Sequence, residues 1–81
     1  MTGHGSAPHV VDARGTMCPM PIIMVARAAE HLGAGSEITV LVTDVAARYD
    51  VPAWARMTHH EFVGESETDG GALALTVRLR S

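Results

Sequence analysis

The run Arg14-Gly15-Thr16-Met17-Cys18-Pro19-Met20-Pro21, passing directly into Ile22-Ile23-Met24-Val25-Ala26, decides how this chain folds. Ahead of it, His9–Ala13 is short and β-branched at Val10-Val11, which reads as a strand ending at Asp12. Gly15 frees the following loop to turn. Pro19 and Pro21 then suit the first turn of a helix, where backbone N–H groups have no intrahelical partner to lose. Cys18, the single cysteine in 81 residues, therefore falls at a helix start. Unpaired N–H groups and the positive end of the helix dipole favour a thiolate over a thiol at such a place.

Outward from this stretch, the helix is expected to run from Pro19 to Leu32 and to stop at Gly33-Ala34-Gly35. At about 100° per residue, Ile22, Val25, Ala26, Ala29 and Leu32 collect on a core face. Met20, Met24, Arg27 and His31 collect on the opposite, solvent-facing side. Glu37–Thr43 is apolar on both faces and reads as a central strand. Asp44 suits the N-cap of a second helix beginning at Val45, which Asp50-Val51-Pro52 either restarts or kinks and which fades at Thr58-His59-His60. Glu61–Glu67 is a third strand and Thr68-Asp69-Gly70-Gly71 a hairpin turn. Leu73, Leu75, Val77 and Leu79 alternate with Ala74, Thr76, Arg78 and Arg80 in a half-buried fourth strand. The order β-α-β-α-β-β defines an α/β fold of the α+β two-layer kind: a four-stranded mixed sheet with two helices on one face. Residues 1–8 read as a flexible tail (His4 incidental within it) and 9–81 as a single domain.

Composition narrows the chemistry. With 47% apolar and 19% charged residues the chain is globular rather than disordered. Six arginines, nine acids and no lysine give a net charge of −3, which argues against direct contact with nucleic acid. The absence of lysine also excludes Schiff-base chemistry and a P-loop. One cysteine excludes an internal disulfide, dithiol exchange and four-thiolate zinc sites, and it fits a reducing compartment. No apolar run approaches the roughly 18–20 residues of a membrane span, and the first residues lack the pattern of a signal peptide, so the cytoplasm is the expected location.

At the start of the helix, the N–H of Met20 is the nearest donor for a thiolate, since Pro19 and Pro21 have none. The dipole adds about 0.3–1 kcal/mol, a lowering of less than one pKa unit. His31 lies about three turns down the helix, roughly 18–20 Å by rise, too far to act as its base. Single-thiol chemistry remains: a thioester, a mixed disulfide, a persulfide, or metal binding with a histidine. An inert buried cysteine is the plain alternative.

Asp12-x-x-Gly15-x-x-Cys18-Pro19-x-Pro21 with its apolar helix resembles the TusA/SirA-like sulfur carriers, whose mark is Cys-Pro-x-Pro at the start of the first helix. Thr43-Asp44, Asp50-Val51-Pro52-Ala53-Trp54 and Glu67-Thr68-Asp69-Gly70 are similar to later motifs of that family, so the resemblance spans His9 to Arg80. It implies the same sandwich fold. It also implies that Cys18 takes sulfane sulfur from a cysteine desulfurase or rhodanese, holds it as a covalent persulfide with no other cofactor, and relays it to an acceptor protein. Thiolation of tRNA, molybdenum-cofactor maturation and sulfur oxidation are the pathways it leaves open. Where some members carry a second cysteine after the aromatic of the second helix, Ala55 stands here.

On this reading Asp12, Arg14, Gly15, Pro19 and Pro21 support the active loop, with Asp12 and Arg14 pairing structurally. Met20, Met24, Arg27 and His31 form a docking stripe, to which Asp44 adds a contact beside its capping role. Trp54 is assigned to packing, and no metal is expected at His59-His60. A monomer is expected. The rival is a non-catalytic regulatory or interaction module on the same fold, its Cys18 redox-sensing or vestigial.

Overall fold

The structure, a computed structural model, describes residues 8–80, so the expected tail lies outside the described residues except for Pro8. Along that length the chain forms β1 (His9–Asp12), α1 (Met20–Ala29), β2 (Glu37–Val42), α2 (Ala47–Met57), β3 (Glu61–Glu67) and β4 (Leu73–Arg78). This is the order anticipated from periodicity. A short 3-10 turn at Asp69–Gly71 joins β3 to β4. Gly70 and Gly71 take φ of +85° and +84° there, a region in which a side chain is strained, which is why a Gly-Gly pair closes this hairpin.

The sheet runs β1-β2-β4-β3. β1 and β2 are parallel, and β4 is antiparallel to both β2 and β3. β4 thus inserts between the two strands that α2 connects, and β2 is central, as its two-sided apolar pattern requires. Cross-strand pairs Ile38–Val77 and Val40–Leu75, with Val11 beside Val40, present one continuous apolar face. Both helices cover that face. Val25 of α1 and Ala47, Val51 and Ala55 of α2 are fully buried against it. The opposite face is polar and open: Thr39 and Thr76 share a hydroxyl hydrogen bond of 2.9 Å, and Arg78 bridges Glu37 at 2.8 Å and Glu61 at 3.1 Å. No helix among the described residues is long and apolar enough to cross a membrane.

Three expectations need correction. The first helix ends at Ala29 rather than Leu32, because the N–H groups of His31 and Leu32 turn to the carbonyls three residues back, of Ala28 and Ala29. The second helix begins at Ala47 rather than Val45 and passes through Pro52 without restarting, so Asp50 is inside it and caps nothing. The phase of α1 is also rotated. Its buried line centres on Pro21 and Val25, with Ile22, Met24, Ala28, Ala29 and Leu32 packed around the core. Met24, one residue (about 100°) from Val25, lies on the margin of this face and packs inward, so it leaves the exposed stripe. Ala26 is half-buried outside the packed set, and Ala28 takes its place.

Leu75→Ala, at a fully buried site in β4, is expected to destabilise the domain by about 2–5 kcal/mol. Val10→Ala, with 58% of its surface exposed, is expected to stay within about 0.5 kcal/mol. Urea unfolding followed by circular dichroism measures both.

Candidate functional site

Cys18 sits in the last turn before α1, half-buried, with its side chain packed against the margin of the core. The loop that delivers it is fixed at several points. Gly15 adopts φ +82° and donates its N–H to Thr43 Oγ1 at 2.9 Å, joining the loop to the end of β2. Thr16 Oγ1 donates to the Ala13 carbonyl at 2.7 Å. The Cys18–Pro19 peptide is cis. The N–H of Cys18 donates to Asp44 Oδ2 at 2.8 Å, while Asp44 Oδ1 accepts the Ala46 N–H at 3.1 Å. Asp44 thus joins the cysteine loop to the turn that enters α2. The cap role read from the sequence is displaced: Asp44 caps the Val45–Ala46 turn, and α2 proper starts from Ala46 without a side-chain cap. These two hydrogen bonds hold the Asp44 carboxyl below the usual carboxylate range.

The thiol behaves opposite to the expectation from the helix start. Its pKa is pushed up to about 11, first by burial, then by the carboxylates of Asp50 and Asp44, which attract its proton and repel a thiolate. The backbone gives little help. The Met20 N–H donates to the Met17 carbonyl at 2.9 Å and the Ile23 N–H to the Pro19 carbonyl at 3.1 Å. With Pro19 and Pro21 lacking donors, the start of α1 has almost nothing to offer an anion. The resting thiol is protonated at neutral pH.

Asp12 and Arg14 pair with each other. Arg14 Nε and Nη2 donate to the two Asp12 oxygens, each at 2.8 Å, and its backbone N–H to Oδ1 at 3.1 Å. The Asp12 carboxyl falls to about 2 through these bonds, and the Arg14 guanidinium is engaged by that carboxylate. Pro19 is exposed, and Pro21, in the first turn of α1, is buried. Met20 and Arg27 lie exposed along α1 and His31 in the turn just past its end, with Ile23 exposed in the place foreseen for Met24. Met17 is 75% exposed beside the cysteine. Trp54 packs on the core edge and lies 5.4 Å from the His60 ring, whose Nδ1 accepts the Arg80 N–H at 3.0 Å. Among the described residues, no three or more His, Cys, Asp or Glu side chains cluster as metal ligands would.

Sequence reasoning missed Thr43 as the anchor of Gly15 and Asp50 as a neighbour of the thiol. Asp50 stands 32 positions beyond Cys18, and only the packing of α2 beside α1 brings them together. The adjoining Asp-Val-Pro pattern was the one local signal.

The site is thus one thiol presented by a two-layer sandwich beside two acidic side chains. The sequence model of the sulfurtransferase TusA family matches residues 9–79, so the chain belongs to that family. It is 39% identical over 64 residues to YrkF of Bacillus subtilis (strain 168), a candidate sulfur carrier protein, covering 79% of this chain. The matched part is 34% of YrkF, so this chain corresponds to about a third of that relative. A crystal structure of a SirA-like protein from Desulfitobacterium hafniense superposes with a TM-score of 0.78 at 30% identity, over 89% of this chain and 97% of that one.

Removing the Asp44 carboxylate tests the loop's anchor. Asp44→Ala is expected to lower the melting temperature at pH 7, since it unpairs the Cys18 N–H. Because the folded pKa of Asp44 lies below its usual 3.8, its stabilisation is complete above that value and is lost as pH falls through the folded pKa. The difference in melting temperature between wild type and variant should therefore be full at pH 6–7 and shrink at lower pH. A pH-independent difference would contradict the assignment.

Proposed function

We propose that the protein carries sulfane sulfur on Cys18 as a persulfide and hands it to an acceptor protein. The observation that supports this reading most is the isolation of the thiol: it is the only cysteine, and no histidine, arginine or lysine acts on it among the described residues. A group loaded on Cys18 therefore has no internal thiol to discharge it. The donor has the chemistry of a persulfide-bearing protein, such as a cysteine desulfurase or a rhodanese, and the acceptor is a further protein thiol in a relay. Loading is a displacement at sulfur. The Cys18 thiolate attacks the outer sulfur of the donor persulfide, a new S–S bond forms, the donor S–S bond breaks, and the donor thiolate takes up a proton. No net oxidant is consumed.

Exposed Met20, Ile23 and Arg27, with His31 beyond them, give a partner a strip to rest on along α1. Methionine at such a surface adapts to more than one partner, as a carrier between two proteins needs. Thiolation of tRNA, molybdenum-cofactor maturation and sulfur oxidation are all served by this chemistry. The rival, a non-catalytic interaction module, leaves the close tethering of Cys18 to Asp44 without a use.

Incubation with a cysteine desulfurase and cysteine, followed by intact mass measurement, is expected to show a gain of one sulfur that dithiothreitol removes. Cys18→Ala should show none. Wild-type protein that acquires no such adduct from desulfurase or from thiosulfate and rhodanese would overturn the carrier reading.

A further inference from the structure

The cysteine loop is well built for position and poorly built for charge. Asp44 is pinned 2.8 Å from the Cys18 N–H, so a carboxylate is held beside the residue that must become an anion. Asp50, on the adjoining turns of α2, is the other charged group acting on the thiol, and it is also acidic. Of the cations nearby in sequence, Arg14 is engaged by Asp12 through two side-chain bonds of 2.8 Å, Arg48 is paired with Glu65 at 2.8 Å, and Arg27 lies two turns further along α1. The first turn of α1 supplies few compensating donors, for Met20 and Ile23 give their N–H groups to Met17 and Pro19, Pro21 has none, and only the Ile22 N–H is left. The segments that carry these carboxylates and the cysteine also expose apolar side chains. Met17 and Met20 flank the cysteine, and Val45 and Tyr49, the sequence neighbours of Asp44 and Asp50, are likewise exposed.

We propose that Cys18 is a partner-activated nucleophile: the sulfur donor places an arginine or lysine, set among apolar side chains, against Asp44 and Asp50, and this releases the thiol proton for attack. The proposal rests on the carrier reading and adds the chemistry of the partner. Seating apolar side chains on Met17, Met20, Val45 and Tyr49 removes water from the site, and the attraction between the cation and the two carboxylates strengthens as the local dielectric falls. With the carboxylates neutralised, the thiolate is no longer opposed by two like charges. Free carrier stays protonated and is protected from indiscriminate oxidation or alkylation. Asp44 and Asp50 are positioning residues in this scheme. They act through Cys18 and need not touch the transferred sulfur.

Two small disulfides of similar size and opposite charge, cystamine and dithiodipropionate, imitate the arrival of a cation or an anion. In each case the Cys18 thiolate attacks one sulfur, the probe's S–S bond breaks, and the leaving thiolate takes the proton. Rates of mixed-disulfide formation on the full chain are followed by intact mass and divided by the rate of N-acetylcysteine with the same probe. At low ionic strength the wild type is expected to favour cystamine at least about tenfold, with the preference shrinking as salt screens it. Asp44→Asn keeps one acceptor oxygen for the Cys18 N–H and gives up the bond from Ala46, so its fold is checked by circular dichroism, whereas Asp50→Asn, at an exposed position, leaves both loop hydrogen bonds intact. The double variant Asp44→Asn/Asp50→Asn is expected to bring the preference within about twofold of unity and to shift the rate's pH profile to lower pH. Asp50→Asn alone should move both readouts in the same direction. A wild-type preference near unity, or one unchanged in the double variant, overturns the proposal. These exchanges need no sulfur donor, so their failure and a failure of persulfide loading are separate results.

Discussion

The Asp44 carboxylate accepts one N–H from Cys18 and another from Ala46, and so fastens two loops that lie 26 residues apart in the chain. Both loops leave the same end of the sheet: one follows β1, the other β2, and these strands are parallel neighbours. In a parallel pair the strand ends emerge side by side, so residues just beyond them meet whatever their separation in sequence. Gly15 bonding to Thr43 is a second stitch across the same gap. Position of the sulfur thus depends on the β1–β2 pairing and on one carboxylate. That carboxylate is also one reason the thiol resists ionisation.

The consequence for function is a division of labour. A self-sufficient cysteine enzyme places a base or cation beside its nucleophile. Here the nucleophile is positioned by an anion, half-buried, and left with few backbone donors. On the proposed carrier reading, such a thiol is held in readiness and a partner protein completes the site. A carrier that must meet one protein to load and another to unload gains from a resting state that reacts with neither solvent oxidants nor stray electrophiles.

Wherever the determining pattern was local, the sequence disclosed the structure. Alternation in Leu73–Leu79, two-sided hydrophobicity in Glu37–Val42 and the Asp-Gly-Gly turn led directly to the strands and the hairpin. Cys-Pro-x-Pro carried the resemblance to the family whose model matches residues 9–79. The failures share a different origin. The face that α1 buries is set by how the helix lies across the sheet, so Met24 turned inward although a helical wheel centred on Ile22 and Ala29 places it outside. Asp50 reads as a cap beside Pro52, yet α2 runs through that proline and carries the carboxylate towards Cys18. The direction of the thiol's pKa followed the same logic: a helix start argues downward, and only the packed neighbours, absent from any local window, reverse it.

The central claim is that the resting thiol is protonated well beyond the ordinary range. A pH titration of Cys18, followed by the chemical shift of a carbon-13 label at its Cβ, measures this directly. The account predicts a midpoint near 11, clearly above the ordinary value of 9.0. A midpoint below about 8, as a helix start alone would give, contradicts it.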